Sequence, residues 1–149
     1  MPGVQRLLDH LTAHRVPMAI ASSSKLKWFE VKTEKLGQKF RDHFHHILLA
    51  PEEPLVKKCK PAPDTFLVCM DRFDDPKPTP ADCLVFEDSV SGVIAGVRAG
   101  MQVVNIPDER LDISDIMRRE PDFRPTLVLK SMLDFRPETF GLPPFATET

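Results

Sequence analysis

Apolar residues at Val4, Leu7, Leu8 and Leu11 recur at the spacing of one helix face, and Pro2 suits a first helical turn, so a helix is predicted to about His14. Residues 16–21 form an apolar run too short for most helices and stop on Ser22-Ser23-Ser24, the pattern of a buried strand entering a polar loop. A weaker helical stretch carrying Trp28, Phe29, Val31 and Leu36 runs to Gly37, and residues 46–50 read as a second strand. After a polar, Pro-rich connection over residues 51–63, helical spacing returns at Phe66, Leu67, Met70 and Phe73. Residues 83–86 are the third strand, residues 90–99 a helix closed by Gly100, and residues 102–106 the fourth strand. A short fifth strand is predicted at residues 127–129. The stretch from Pro137 to Thr149 is Pro-rich and is expected to form a surface tail outside a core of residues 1–136.

Strands separated by helices predict an α/β fold: a Rossmann-like parallel sheet with right-handed crossovers and helices on both faces. A chain of 149 residues is long enough for one domain with a real core. Its formal charge of -2 lacks the basic excess that nucleic-acid binding needs, so no nucleic acid is expected as a partner. No apolar run approaches the length of a membrane span. Cys59, Cys69 and Cys83 are odd in number and lack paired C-x-x-C spacing, which suggests reduced thiols and a cytoplasmic setting.

Chemistry collects where the strands end. Leu84-Val85-Phe86 runs into Glu87-Asp88-Ser89, and two adjacent carboxylates repel unless a cation with oxygen ligands sits between them. Taken alone, the pair reads equally well as a solvated strand end and a helix cap. Ser22 and Ser23 close the first strand with hydroxyls and turn amides that suit a phosphate oxygen. In Cys59-Lys60-Pro61-Ala62-Pro63-Asp64 two prolines limit the backbone around one ammonium group, which makes Lys60 a positioned point charge. Hydroxyl, ammonium and paired acids at the strand ends of one parallel sheet are what a phosphate with a magnesium ion requires.

Ile20-Ala21-Ser22-Ser23, Lys60-Pro61-Ala62-Pro63-Asp64 and Val85-Phe86-Glu87-Asp88-Ser89, in that order, resemble the second, third and fourth motifs of the haloacid dehalogenase superfamily of phosphotransferases. The resemblance covers nearly the whole chain and is nearest to the pseudouridine-5'-phosphatase branch, through Gly100-Met101-Gln102-Val103-Val104, Leu127-Val128-Leu129 and Phe140-Gly141-Leu142-Pro143. It implies a magnesium-dependent phosphatase for a small phosphorylated metabolite. Ser22 and the Ser23 amide would bind the phosphoryl group, Lys60 would bridge nucleophile and phosphate, and Lys25 would add a phosphate contact. Asp88 would ligate Mg2+, with Glu87 reaching the metal through water. Cys59 stands where many relatives carry glycine before the lysine.

The family's reaction begins on an Asp-x-Asp-Gly motif, and this sequence holds no Asp-x-Asp. The helical cap that follows that motif is missing too, and Met1-Pro2-Gly3 matches the point where relatives re-enter the core. The resemblance therefore implies the C-terminal part of a longer enzyme, inactive alone and lacking the first, central strand. Two unpaired sheet edges would then face a gap and favour self-association. Three other readings accompany this one: a non-catalytic binding or regulatory fragment, a sugar-phosphate phosphatase or phosphomutase relative, and a transition-metal site at His43-x-His45-His46. Gly92, Gly96 and Gly100 recur every four residues, and close packing on the sheet is expected of them.

Overall fold

The computed structural model describes residues 2–146; Met1 and residues 147–149, which belong to the expected re-entry point and tail, lie outside them. Among the described residues five strands and six α-helices follow in the order α1 (Val4–Ala13), β1 (Ala19–Ser22), α2 (Leu26–Thr33), α3 (Gly37–Arg41), β2 (His46–Leu49) and α4 (Asp64–Met70), then β3 (Leu84–Glu87), α5 (Val90–Arg98), β4 (Gln102–Asn105), α6 (Ile113–Arg119) and β5 (Leu127–Val128). Every strand pair is parallel. The α/β class and the places of all five strands match the sequence reading, with boundaries moved by at most three residues.

β4 is the centre of the packing. Val103 and Val104 are both fully buried, and because successive side chains leave a strand on opposite faces they anchor two separate layers. Val103 joins Phe66, Val85, Val93, Ile94 and Phe123 on one side. Val104 joins Leu7, Leu11, Ile106, Met132 and Phe135 on the other. Gly96 lets α5 lie on the sheet, since a Cβ there would stand 2.7 Å from a Val103 methyl.

Two expectations need correction. Residues from Pro137 onward are not a surface tail: Pro137 is fully buried, Phe140 stacks on Phe135 at 5.7 Å, and Leu142 and Phe145 pack on the α1 layer. Prolines break helices and ladders without preventing burial, so composition was a poor guide there. The helical segment after Trp28 also does not end at Gly37, which starts α3.

Among the described residues the strands fall into two separate sheets, β1-β2 and β3-β4-β5, with no backbone ladder joining them. A cavity of about 860 Å³ separates β1 from β3. Consecutive residues line it, Ala19, Ile20 and Ala21 from one strand and Leu84, Val85 and Phe86 from the other. Alternate side chains point to opposite faces, so consecutive residues share a cavity only along a strand's edge. Leu7 and Leu11 of α1 and Phe66 and Met70 of α4 also line it, so both layers reach the slot.

Candidate functional site

The carboxyl ends of β1 and β3 open together into a polar cleft of about 360 Å³ lined by Ser22, Ser23, Lys60, Glu87, Asp88 and Ser89. Five of the six site residues expected from the sequence therefore meet in one place. Lys25 does not line it; it is exposed at the N-cap of α2.

Backbone geometry sets each group. The Ser22 Oγ accepts from the Ser24 N–H at 3.1 Å, so the turn after β1 fixes the hydroxyl at the cleft wall. Ser23 is exposed beside it. Lys60 comes from a loop held on both sides: the Asp64 carboxylate accepts from the Lys57 and Lys58 N–H groups at 3.0 Å, and Arg98 donates to the Pro61 carbonyl at 3.2 Å. Arg98 is itself fixed by Asp122 through two bonds of 2.9 and 2.7 Å. Cys59 has no positive φ, Arg15 being the one non-glycine with that feature among the described residues, so the loop forms without glycine.

The Lys60 ammonium donates to the Ala21 carbonyl at 3.1 Å and to the Glu87 carboxylate, and stands 4.3 Å from the Phe66 ring centroid. Both members of the Lys60–Glu87 pair are nearly buried, with side chains 8% and 10% exposed. Glu87 also accepts from the Ser89 hydroxyl at 3.0 Å, while Ser89 caps α5 by accepting from the Gly92 N–H at 3.1 Å. The carboxylate rests on the first turn of α5, where the helix dipole favours negative charge. It lies directly against Gly92, and any Cβ there would overlap it. Gly92 thus packs on the acid at the end of β3. The Glu87 carbonyl is pinned by the Asn105 amide at 3.0 Å and the Ile106 N–H at 2.8 Å.

Asp88 differs from its neighbour. It is exposed, and no side-chain hydrogen bond or ion pair engages it among the described residues. One carboxylate in the cleft is neutralised and one is free. Among the described residues no three His, Cys, Asp or Glu side chains stand close enough to hold a metal by themselves. Magnesium is commonly held by one or two carboxylates with waters and substrate phosphate oxygens, and the hard oxygen of Asp88 fits that mode.

The His43-x-His45-His46 reading fails on geometry. His43 turns to Thr12 at 2.8 Å, whereas His45 meets Asp74 at 3.0 Å and His46 bonds the Cys69 carbonyl at 2.9 Å. Burial lowers the His46 pKa below its ordinary value, and pushes the Cys69 thiol up to about 11. Sequence reading missed Ser89 and Arg98 as site supports. A serine just before an apolar helical run signals Ser89; nothing local signals a bond from Arg98 to a loop 37 residues away.

A family model described as haloacid dehalogenase-like hydrolase matches residues 1–100. A probable pseudouridine-5'-phosphatase of Drosophila melanogaster is 48% identical over 145 residues, which is 97% of this chain and 59% of that protein. A (DL)-glycerol-3-phosphatase of Arabidopsis thaliana is 41% identical over 147 residues, 97% and 57% of the two chains. Among solved structures, β-phosphoglucomutase from Clostridium difficile shares the fold with a TM-score of 0.72 at 23% identity, over 95% of this chain and 54% of that one. The chain spans about half the length of the curated relatives it matches. With strand-end motifs, topology and relatives in agreement, the chain belongs to the haloacid dehalogenase-like hydrolase family.

Proposed function

We propose that this chain is the phosphate- and magnesium-binding part of a phosphatase for small phosphorylated metabolites, with pseudouridine 5'-phosphate the first candidate substrate. The observation that carries the reading is the convergence of Ser22, Ser23, Lys60, Glu87 and Asp88 on one cleft at the ends of two parallel strands. The name of the Drosophila melanogaster relative supports the substrate class. In this reading Ser22 and the Ser23 N–H orient the transferring phosphoryl group, and Lys60 offsets its charge. Lys25 adds positive potential at the approach. Asp88 would hold Mg2+, with Glu87 assisting through water. The ion, when bound, withdraws charge from the phosphate oxygens.

The polypeptide alone is expected to lack turnover, because the sequence holds no Asp-x-Asp to supply the nucleophile and acid-base pair. Free thiols at Cys59, Cys69 and Cys83 support a cytoplasmic setting, and among the described residues no helix is long and apolar enough to cross a membrane. The test has two arms. Phosphate release from pseudouridine 5'-phosphate and glycerol 3-phosphate with Mg2+ should stay at the blank, and robust release would overturn the inactivity. Amide shifts at Ser22, Ser23 and Asp88 on adding Mg2+ with inorganic phosphate, lost in Asp88→Asn, are expected. Their absence from the native chain would favour the non-catalytic reading.

A further inference from the structure

We propose that His10 and His14, at the C-terminal end of α1, chelate one divalent transition-metal ion of the zinc, nickel or copper class. The site shares no residue with the cleft around Asp88 and does not depend on the phosphatase reading.

Spacing brings the two rings together. Residues four apart lie on one helix face, about 6 Å from each other along the axis. The ring centroids of His10 and His14 stand 4.4 Å apart, tilted by 50°. His14 is the C-cap of α1, and the Val16 N–H bonds the Leu11 carbonyl at 2.9 Å. The last turn is therefore closed, and both histidines project from a fixed backbone.

Hydrogen bonds decide which nitrogens are open. A backbone carbonyl only accepts, so a ring nitrogen bonded to one carries a proton. His10 donates from Nε2 to the Pro143 carbonyl at 2.8 Å, and His14 donates from Nδ1 to the His10 carbonyl at 2.9 Å. In the neutral rings the lone pairs are thus on His10 Nδ1 and His14 Nε2, and among the described residues neither atom has a hydrogen-bond partner. A metal-ligating histidine commonly has this form, because the bond at one nitrogen fixes the tautomer and the ring orientation for the other. The remaining three of the five histidines lack it. His43 engages Thr12 at one nitrogen and stands 3.5 Å from Asp9 at the other. His45 and His46 bond each other and use their second nitrogens on Asp74 and the Cys69 carbonyl.

Charge and ligand type select the ion. The C-terminal end of a helix carries partial negative charge, which favours a cation. Arg6, one turn before His10, opposes it, but its guanidinium is engaged over the Phe145 ring at 4.1 Å. Imidazole nitrogen suits zinc, nickel and copper, whereas magnesium takes oxygen ligands, so magnesium is a poor competitor here. Among the described residues no third His, Cys, Asp or Glu joins the pair, and water fills the remaining positions. His10 also packs on Phe145 at 4.7 Å, so the ion clasps the end of α1 to the segment after Pro137 that lies against it.

The test titrates Ni2+ into the untagged 149-residue chain and follows the histidine ring resonances. Paramagnetic broadening is expected at His10 and His14 before His43, His45 and His46 respond. Zn2+ should raise the thermal midpoint as its concentration rises, and excess Mg2+ should not displace it. Two ligands on one helix turn act as a chelate, so His14→Gln should weaken Zn2+ binding by about a hundredfold, with little further loss when His10→Gln is added. His14 is exposed, so its substitution leaves the fold in place. Native-like Zn2+ affinity in His14→Gln, or broadening that begins at His43, His45 or His46, would overturn the proposal. So would a loss of binding in Cys59→Ser, which would give the ion to that exposed thiol instead.

Discussion

The two half-sheets are built from similar sequence and reach different degrees of burial. β4 has a strand on each side and buries Val103, Val104 and Asn105 almost completely, whereas no residue of β1 is fully buried although Ala19-Ile20-Ala21 is as apolar as any core strand. A strand's apolarity states what its environment is meant to be; its burial depends on whether the neighbours are there. β1 is a central strand by composition and an edge by contact. The same contrast separates cleft from slot, since the polar groups at the strand ends are largely paired while the backbone edges beneath them are not.

The largest expected effects lie in the three-stranded half. Phe135 is 2% exposed and packs edge-on to Phe86 at 4.9 Å, so Phe135→Ala should cost about 3–5 kcal/mol in urea unfolding. Ile20→Ala, at a residue that is half-buried and borders the slot, should cost well under half of that. Equal losses at the two sites would show that β1 is packed as tightly as β4 and dissolve the contrast.

Next in size is the ion pair at the base of the cleft. Lys60→Met leaves the nearly buried Glu87 carboxylate without its cation, a loss of about 3 kcal/mol by the usual behaviour of such pairs. Lys60→Met combined with Glu87→Gln should recover most of it. A double variant as unstable as the single one would mean that lost packing of the lysine stem on Phe66, not the stranded charge, sets the effect.

Gly92→Ala tests the cleft from the helix side. Alanine gains up to about 1 kcal/mol of helix propensity over glycine, but the added methyl overlaps the Glu87 carboxylate. Displacing that group off Lys60 should turn the balance into a net loss of about 1–3 kcal/mol, read from the urea midpoint. In a Glu87→Ala background, itself destabilised by the stranded Lys60 ammonium, adding Gly92→Ala should raise stability instead of lowering it.

Much of this architecture was legible because local pattern and tertiary role agree. The five strands, the polar ends at Ser22 and Glu87, and the missing ladder between β1 and β3 all follow from short apolar runs and from one absent motif. What escaped notice had weaker or non-local signals. Asp112 caps α6 by accepting from the Asp115 N–H at 3.0 Å, but no buried residue marks the helix's seven-residue span. The burial of Pro137 and Phe140 depends on a layer supplied by α1, more than a hundred residues earlier. Arg98 reaches the Lys60 loop only after α5 is packed. Lys25 shows the converse error: closeness in sequence to Ser22 did not bring it to the cleft.

The smallest effect concerns the outer edge of the two-stranded half. His46 on β2 is partly buried, and desolvation lowers its pKa from the ordinary 6.5, reinforced by the positive ends of His45 and Arg72 and opposed by its bond to the Cys69 carbonyl. As pH falls through about 6.5 the unfolded chain takes up a proton that the folded ring still refuses, so stability drops with falling pH and levels once the folded ring titrates as well. Urea midpoints measured from pH 7.5 to 5.5 should decline more steeply for the native chain than for His46→Gln. A curve for His46→Gln as steep as the native one would move the pH dependence to another group and leave β2 out of it.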